Sequence, residues 1–221
     1  MPHLTDLENR VIEGDCLRVL PTIPEASVGL VLTDPPYLVG YRDRAGRTIS
    51  GDKSSEWLRP AFAEIYRVLR PDSFCISFFG WTRPELFGAA WKAAGFRIEG
   101  HFAAVKDYPS SAHYVRRCHE QAYLLAKGQP EIPAMPISDV LRWKYSGNRL
   151  HPTQKPVSTL LLLVNAFSKP SDLVLDPFAG SGSSLVAARL AGRRYIGIEK
   201  RPEYARAAGE RLARLARWSA A

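Results

Sequence analysis

A chain of 221 residues, 46% hydrophobic and 24% charged, is long enough to bury a core without disulfides or metal ions, and this composition excludes a wholly disordered protein. Its net charge of +8 favours a polyanionic partner, because lysine and arginine side chains that neutralise phosphates release condensed counterions. Its 3 cysteines are odd in number and follow no metal-ligand spacing, which argues against a disulfide framework and against a metal site.

Short β-rich runs alternate with helical patterns along the chain, as is typical of α/β proteins with a largely parallel sheet. We predict a single domain over residues 1–221, with a doubly wound, Rossmann-like, mostly parallel seven-stranded sheet. The predicted strands are Arg10–Glu13, Val28–Thr33, Ser73–Phe79, Arg97–Lys106, Gln121–Ala126, Leu173–Asp176 and Arg194–Glu199. The predicted helices are Trp57–Leu69, Pro84–Ala94, Thr159–Phe167, Ser184–Ala191 and Pro202–Arg217.

Two segments show neither a helical nor a strand pattern of apolar residues, Leu38–Glu56 and Gly128–His151, and we expect both to be loops. Long loops inside a compact domain are usually functional, and these two flank the motifs described below. The apolar runs of the chain are too short to span a membrane, so we expect a cytoplasmic protein.

The first motif, Asp34 to Tyr37, follows a predicted strand and contains two consecutive prolines. Prolines hold the backbone in an extended wall with free carbonyl oxygens. The Asp34 carboxylate and the Pro35 carbonyl can each accept one N–H of a substrate amino group, which orients the nitrogen lone pair toward an electrophile. Tyr37 offers a face on which a base can stack. An ordinary strand exit with a proline turn explains Pro35 and Pro36, but neither the acid before them nor the aromatic residue after them.

The second motif, Leu173–Ser183, predicts a buried strand that runs into a glycine-rich turn and a helix N-terminus, where free N–H groups favour a nucleotide-like ligand. Gly180 and Gly182 lack the third glycine of the dinucleotide fingerprint, which disfavours an NAD-type oxidoreductase and leaves a plain strand-to-helix turn as the alternative. The next strand ends at Glu199, where such folds place a ribose-binding acid; the alternative is a helix-capping role before Pro202. Together the two units predict an adenosine-containing cofactor.

These motifs resemble the two signature motifs of the DNA amino-methyltransferase family, which modifies adenine N6 or cytosine N4. Two further pieces support the resemblance, residues 13–16 and His151–Pro156, and it extends over nearly the whole chain. The catalytic motif precedes the glycine-rich motif, as in the permuted β group, whose members are often dimers, so we expect a homodimer. The resemblance implies the fold of S-adenosylmethionine-dependent methyltransferases and S-adenosyl-L-methionine as the cofactor.

The resemblance also implies roles for individual residues. Asp15 would contact the cofactor's adenine, Glu199 its ribose, and Thr153 and Lys155 would lie near its methionine carboxylate. Asp15 has an alternative role as the cap of the turn that follows it, and a lysine at a helix start is often a solvated charge. The implied catalytic residues are Asp34, Pro35, Pro36 and Tyr37. The implied cofactor-binding residues are Asp15, Cys16, Thr153, Lys155, Asp176, Phe178, Ala179, Gly180, Ser181, Gly182 and Glu199.

Within this family, an aspartate in the first motif position favours adenine N6 in DNA as the target, with the base flipped out of the helix. Methylation of cytosine N4 is the alternative, as is amino-methylation of RNA or single-stranded DNA, and a catalytically inactive DNA-binding module is a further one. A cytosine C5 enzyme is disfavoured because no cysteine follows a proline. The expected context is a restriction-modification system.

We expect DNA to contact Leu38–Glu56 and Lys106–His151, the second of which includes a short target-recognition insertion at residues 107–150. Basic residues there are interspersed with tyrosine and tryptophan, a pattern suited to phosphate contact and stacking. Lys106 is expected on the same surface. The expected DNA-binding residues are Arg42, Arg44, Arg47, Lys53, Arg116, Arg117, Arg142, Lys144 and Arg149.

Overall fold

A computed structural model describes residues 3–43, 46–111, 113–145, 147, 150–151 and 153–218. The strands are β1 Arg10–Glu13, β2 Val28–Thr33, β3 Leu69–Phe78, β4 Arg97–Lys106, β5 His119–Lys127, β6 Val140–Trp143, β7 Leu173–Asp176 and β8 Arg194–Glu199. The helices are α1 Leu4–Leu7, α2 Cys16–Val19, α3 Leu58–Val68, α4 Pro84–Ala94, α5 Val157–Phe167, α6 Ser183–Leu190 and α7 Pro202–Trp218, and a 3₁₀ turn covers Leu20–Thr22.

The strands form one 8-stranded sheet in the order β1-β8-β7-β2-β3-β5-β4-β6. Every strand runs in the same direction except β5, which is antiparallel to both β3 and β4. This arrangement confirms the predicted α/β class with a mostly parallel sheet. It corrects the predicted strand number, because β6 lies in Gly128–His151, which we expected to be a loop. Only 4 residues long, β6 exists through its pairing with β4, and a local pattern does not show such a tertiary contact.

Helices cover both faces of the sheet. On β2, Leu30 and Leu32 point into one apolar core, which also contains buried side chains of α5 and α6. Val31 points to the other face and packs into a core with side chains of α2, α3 and α4. This alternation along the strand fixes three layers, helix, sheet and helix. None of the helices in the described ranges has the length and hydrophobicity that crossing a bilayer requires.

The centre of the sheet contains a topological switch point. Strands β2 and β7 are neighbours, but the chain continues from β2 to β3 on one side and from β7 to β8 on the other. Doubly wound sheets bind ligands outside the carboxyl ends of their strands at such a point. Asp34 directly follows β2, Asp176 ends β7 and Glu199 ends β8, so the fold brings both motifs to this edge.

Candidate active site

One cleft at the carboxyl edge of the sheet brings the predicted catalytic and cofactor-binding residues together. The exception is Gly182, which does not line the cleft. Gly182 is the N-cap of α6 and has a positive φ of 74°. A Cβ at this position would lie 2.9 Å from Ala208 Cβ. Gly182 therefore allows α6 and α7 to pack closely. The predicted residues that do line the cleft are Asp15, Cys16, Asp34, Pro35, Pro36, Tyr37, Thr153, Lys155, Asp176, Phe178, Ala179, Gly180, Ser181 and Glu199.

The Asp34 carboxylate is half-buried in the cleft and has a partner on each oxygen. Tyr37 donates its hydroxyl proton to Oδ1 over 2.7 Å, and Lys155 Nζ lies 2.7 Å from Oδ2. Burial raises the pKa of the Asp34 carboxyl, and the charge of Lys155 opposes that rise. The structure thus places the Lys155 ammonium on the carboxylate of Asp34, a contact that the sequence did not indicate.

Tyr37 of the motif packs against Gly80, whose role the sequence did not indicate. A Cβ at Gly80 would lie 2.7 Å from Tyr37 Cβ and 3.0 Å from the Tyr37 carbonyl oxygen. Only glycine allows the exit of β3 to approach the catalytic motif this closely. The Pro35 carbonyl oxygen accepts no hydrogen bond from the described residues, so it remains available to a substrate N–H.

The loop after the catalytic motif is organised by the buried carboxylate of Asp52, which is 2% exposed. Its Oδ1 accepts hydrogen bonds from the backbone N–H groups of Leu38 and Val39, at 2.6 and 3.3 Å. Its Oδ2 accepts from the N–H of Tyr41, at 2.5 Å. These three bonds hold residues 38–41 of the predicted loop beside the cleft.

We expect Asp52→Ala to leave three backbone donors without their acceptor and to lower the free energy of unfolding by about 1–3 kcal/mol. Turnover should fall as well, because the loop adjoins Tyr37, and both quantities can be measured by urea unfolding and by steady-state kinetics. Glu56→Ala, at an exposed position in the same segment, is the matched control. Equal effects of the two substitutions would contradict the organising role.

On the side of the cleft formed by the glycine-rich loop, the Glu199 carboxylate links that loop to the turn that follows β8. Its Oε2 accepts the backbone N–H of Gly180 over 2.8 Å and its Oε1 accepts that of Arg201 over 2.7 Å. Each carboxylate oxygen has a second lone pair, so the group can still accept two ribose hydroxyl protons. Gly180 has a positive φ of 52°, which brings the loop backbone against the cleft. These residues fit an adenosine-containing cofactor.

Asp15 and Cys16 line the same side of the cleft. The alternative role of Asp15 as a helix cap is confirmed, since its Oδ1 accepts the Leu17 N–H over 3.0 Å, while its Oδ2 pairs with Lys200 Nζ at 2.8 Å. Burial raises the pKa of the Cys16 thiol to about 12, so this thiol stays protonated and is a poor nucleophile. The site is therefore suited to direct transfer without a thiolate.

The Asp176 carboxylate, predicted to bind the cofactor, is buried and holds the glycine-rich loop against β2. Its Oδ1 accepts from Thr33 Oγ1 and from the Phe178 N–H, both at 3.0 Å, and its Oδ2 accepts from the Ser184 hydroxyl. Burial raises its pKa to about 7. Asp176 thus shapes the loop from within.

The pKa of Asp176 is higher in the folded protein than its value of about 3.9 in an unfolded chain, so the folded protein binds this proton more tightly. The stability that the folded protein gains from this proton is fully present below about pH 4. That contribution is lost as the pH rises through about 7. Asp176→Asn can keep all three hydrogen bonds, since the amide nitrogen can donate to Ser184. We expect the variant to lack this part of the pH dependence when unfolding is followed by urea titration from pH 4 to 8. An unchanged slope in the variant would contradict the assignment.

His151 and Thr153 form the rim of the cleft next to α7. The Thr153 N–H donates to His151 Nδ1 over 3.3 Å, and the His151 ring packs edge-on against Tyr204 with ring centroids 4.4 Å apart. Burial lowers the pKa of His151 to about 4, so the ring is neutral at physiological pH. A neutral ring adds no charge at the entrance to the cofactor side.

The expected DNA-binding residues lie on segments that leave the carboxyl edge near the cleft. The Arg117 guanidinium lies over the Trp81 ring, 4.5 Å from its centroid. Lys106 was expected on this surface, but the structure shows that this expectation was wrong, because its side chain is 5% exposed and ion-paired with Glu120. Arg44 and Arg149 lie outside the described residues. The exposed members are Arg42, Arg47, Lys53, Arg116, Arg117, Arg142 and Lys144.

Comparisons with known proteins place the chain among DNA methylases. A family model described as DNA methylase matches residues 28–210. YubD of Escherichia coli (strain K12) is 57% identical over 209 residues, covering 95% of this chain and 92% of YubD. YhdJ of the same organism, a DNA adenine methyltransferase, is 28% identical over 240 residues, covering 91% and 82%. The crystal structure of TTHA0409 from Thermus thermophilus, complexed with S-adenosyl-L-methionine, matches with a TM-score of 0.70 and 25% identity over 93% of each chain.

The chain therefore belongs to the family of DNA methylases that modify exocyclic amino groups at adenine N6 or cytosine N4. Its fold is that of the S-adenosylmethionine-dependent methyltransferases, and S-adenosyl-L-methionine is its cofactor. The family, the fold and the cofactor implied by the resemblance are thus confirmed.

Proposed function

We propose that the protein methylates the N6 amino group of adenine in DNA. The observation that carries the proposal is the Asp34 carboxylate, which is held beside an unused Pro35 carbonyl in the same cleft as Glu199. Aspartate in the first position of the motif favours adenine, and YhdJ is named as a DNA adenine methyltransferase. Cytosine N4 methylation is the second candidate, because the two acceptors recognise an amino group and the family includes both bases.

When bound, S-adenosyl-L-methionine would supply an electrophilic methyl group, and its sulfur would keep the electron pair of the C–S bond that breaks as the methyl carbon bonds to the nitrogen. Asp34 and the Pro35 carbonyl each accept one N–H, so the target nitrogen presents its lone pair toward the cofactor side. Asp34 then accepts, directly or through one water, the proton that the methylated nitrogen loses. The ring of Tyr37 stacks on the base, and its bond to Asp34 fixes the orientation of its hydroxyl.

The amino group of a paired base is inaccessible, so we propose that the target base is flipped out of duplex DNA into the cleft. The exposed basic residues on the loop after β2, on the connection between β4 and β5, and at the end of β6 would contact phosphates. We assign target recognition to residues 107–150, as an insertion within a single methyltransferase domain.

We also propose a homodimer, from the β-group motif order, and a cytoplasmic restriction-modification context in which the mark protects DNA. Sedimentation equilibrium measures the mass of the protein in solution and so tests the homodimer. An endonuclease that cleaves only the unmethylated form of the same DNA sequence would support the restriction-modification context.

The decisive test is incubation of the purified protein with S-adenosyl-L-methionine and unmethylated duplex DNA, followed by digestion and mass spectrometry of the nucleosides. N6-methyladenine is the expected product, and protein carrying Asp34→Ala is the blank. N4-methylcytosine would retain the mechanism and replace the base. Product only on RNA or single-stranded DNA would replace the polymer, and no product on any of them would identify an inactive binding module.

A further inference from the structure

Two lysines and two carboxylates lie together at the catalytic motif, and one of the carboxylates is that of Asp34. Lys106 ends β4 and pairs with Glu120, and Lys155 pairs with Asp34. Tyr37 lies between these pairs, with its hydroxyl 2.7 Å from Asp34 Oδ1 and 3.5 Å from Glu120 Oε2. We call Asp34, Tyr37, Lys106, Glu120 and Lys155 the charge cluster. Its two positive and two negative charges balance.

Within the charge cluster, Lys155 contacts both Asp34 and Tyr37. Its side chain is 8% exposed, and its Nζ lies 2.7 Å from Asp34 Oδ2 and donates to the Tyr37 hydroxyl over 3.2 Å. Three aromatic rings surround the ammonium, those of Tyr37, Phe78 and Trp143, with centroids 5.2, 5.4 and 5.7 Å away. Ammonium groups are attracted to aromatic faces at such distances. Lys155 is therefore a fixed internal charge and not a solvated one.

The Tyr37 hydroxyl has one proton to donate. It donates this proton to Asp34 and accepts a hydrogen bond from Lys155, so the three groups close a ring of hydrogen bonds. Such a ring fixes both Asp34 oxygens and the Tyr37 side chain before any substrate arrives. Without the Lys155 ammonium, two of the three contacts in this ring disappear, those of Lys155 with Asp34 and with Tyr37.

We propose that Lys155 is a positioning residue for methyl transfer, because its ammonium contacts both Asp34 and Tyr37 and aims them at the target amino group, while the Lys106 and Glu120 pair flanks them. The proposal rests on the proposed function, because it concerns how the amino group is held. It departs from the role near the methionine carboxylate that the resemblance implied for Lys155.

Only an ionised Asp34 can accept the substrate N–H with either oxygen. Burial raises the pKa of Asp34, Lys155 lowers it through its charge and its hydrogen bond, Tyr37 lowers it, and Glu120 raises it. The carboxyl of Asp176 also acts on Lys155 and raises its pKa. Removing the ammonium should therefore raise the pKa of Asp34, whereas removing the charge of Glu120 should lower it.

The test compares the pH profiles of kcat/KM for the wild-type protein, Lys155→Met and Glu120→Gln. We expect kcat/KM of Lys155→Met to fall on the order of 100-fold near neutral pH and to recover partly at higher pH. The acid limb of its pH profile, where activity is lost as the pH falls, should move to higher pH. Glu120→Gln should shift that limb downward. The affinity for S-adenosyl-L-methionine, measured by calorimetry, should be nearly unchanged in Lys155→Met.

Lys127→Met is the matched control, because Lys127 also lies over a ring, 4.7 Å from the centroid of Tyr66, and donates to the carbonyls of Tyr66 and Leu69. Its loss should leave the acid limb in place, because Lys127 lies outside the charge cluster. A second readout needs no activity, the pH titration of the Asp34 carboxyl by carbon NMR in cofactor-free protein, with Asp34→Asn to assign the signal. The carboxyl should titrate at higher pH in Lys155→Met.

Two results would overturn the proposal. If Lys155→Met weakened cofactor binding and left the acid limb unchanged, the ammonium would belong to the methionine carboxylate. If Lys155→Met lowered activity equally at every pH, as a general loss of structure does, Lys155 would have no specific positioning role. If the wild-type protein methylated no substrate, the proposed function would fail, and the NMR titration would still decide the effect of Lys155 on Asp34.

Discussion

Asp34→Ala should abolish methyl transfer while the protein still binds S-adenosyl-L-methionine with near wild-type affinity. In the proposed mechanism, the substitution removes one of the two acceptors for the target amino group and the acceptor for the proton released after transfer. Losses from removing such a group are typically on the order of 100- to 10,000-fold. Glu199 and Gly180 lie on the other side of the cleft and keep their mutual hydrogen bond, so the cofactor pocket should persist. Single-turnover kinetics and calorimetry measure the two quantities separately.

Asp172→Ala provides the matched control for Asp34→Ala. Asp172 is also a carboxylate paired with a cation, Arg70, but it precedes β7 and so lies at the opposite edge of the sheet. Its loss should leave turnover unchanged. Near-normal activity in Asp34→Ala, or a cofactor affinity that falls in proportion to the activity, would refute the role given to Asp34.

The sequence predicted those parts of the site that lie in one stretch of chain directly after a strand. The catalytic motif follows β2 and Glu199 ends β8, and both strands match their predicted bounds. Because parallel strands place their carboxyl ends at one edge, the meeting of these residues follows from the fold class alone. Local motifs and a topological rule were sufficient for the cleft.

The charge cluster could not be predicted in the same way. Glu120 reaches the carboxyl edge at the start of β5, because β5 is the strand that runs against the others. The rule that functional residues follow the carboxyl ends of parallel strands does not predict a functional residue at the start of an antiparallel strand. Lys106 looked like one of many basic residues near a loop, and only its pairing with Glu120 shows that it is buried. Long-range pairs of this kind depend on the order and direction of strands.

Glycines and carboxylates with structural roles were also hard to separate from those that face the ligand. Gly180 and Gly182 are two residues apart in one motif, yet only Gly180 lines the cleft, whereas Gly182 allows α6 to approach Ala208. Asp34 follows one central strand and Asp176 ends another, and both line the cleft, yet Asp176 is only 3% exposed whereas the side chain of Asp34 is 22% exposed. The residue type is the same, and the three-dimensional neighbours decide its role.

Gly180→Val should have the opposite signature to Asp34→Ala, with loss of cofactor binding as the primary defect. Gly180 has a φ of +52°, which a β-branched residue adopts only with strain of about 1–3 kcal/mol. A Cβ there would fit, since its nearest neighbour is His151 Cδ2 at 3.5 Å, but the two further methyl groups must occupy the cleft or displace His151. Relaxing the strain would instead move the N–H that Glu199 accepts. Either change removes part of the pocket.

We expect the dissociation constant for S-adenosyl-L-methionine to rise about 100-fold in Gly180→Val, equivalent to about 2.7 kcal/mol, as measured by calorimetry. Gly209→Ala is the control, because Gly209 lies within α7 and a Cβ there meets no atom within 4 Å. Alanine favours a helix over glycine by roughly 0.5–1 kcal/mol, so this variant should be slightly more stable and should bind the cofactor normally. A cofactor affinity in Gly180→Val equal to that of Gly209→Ala would place the cofactor away from the glycine-rich loop. Loss of cofactor binding in Gly180→Val, together with loss of transfer in Asp34→Ala, would assign the methyl donor to one half of the cleft and the acceptor nitrogen to the other, as proposed.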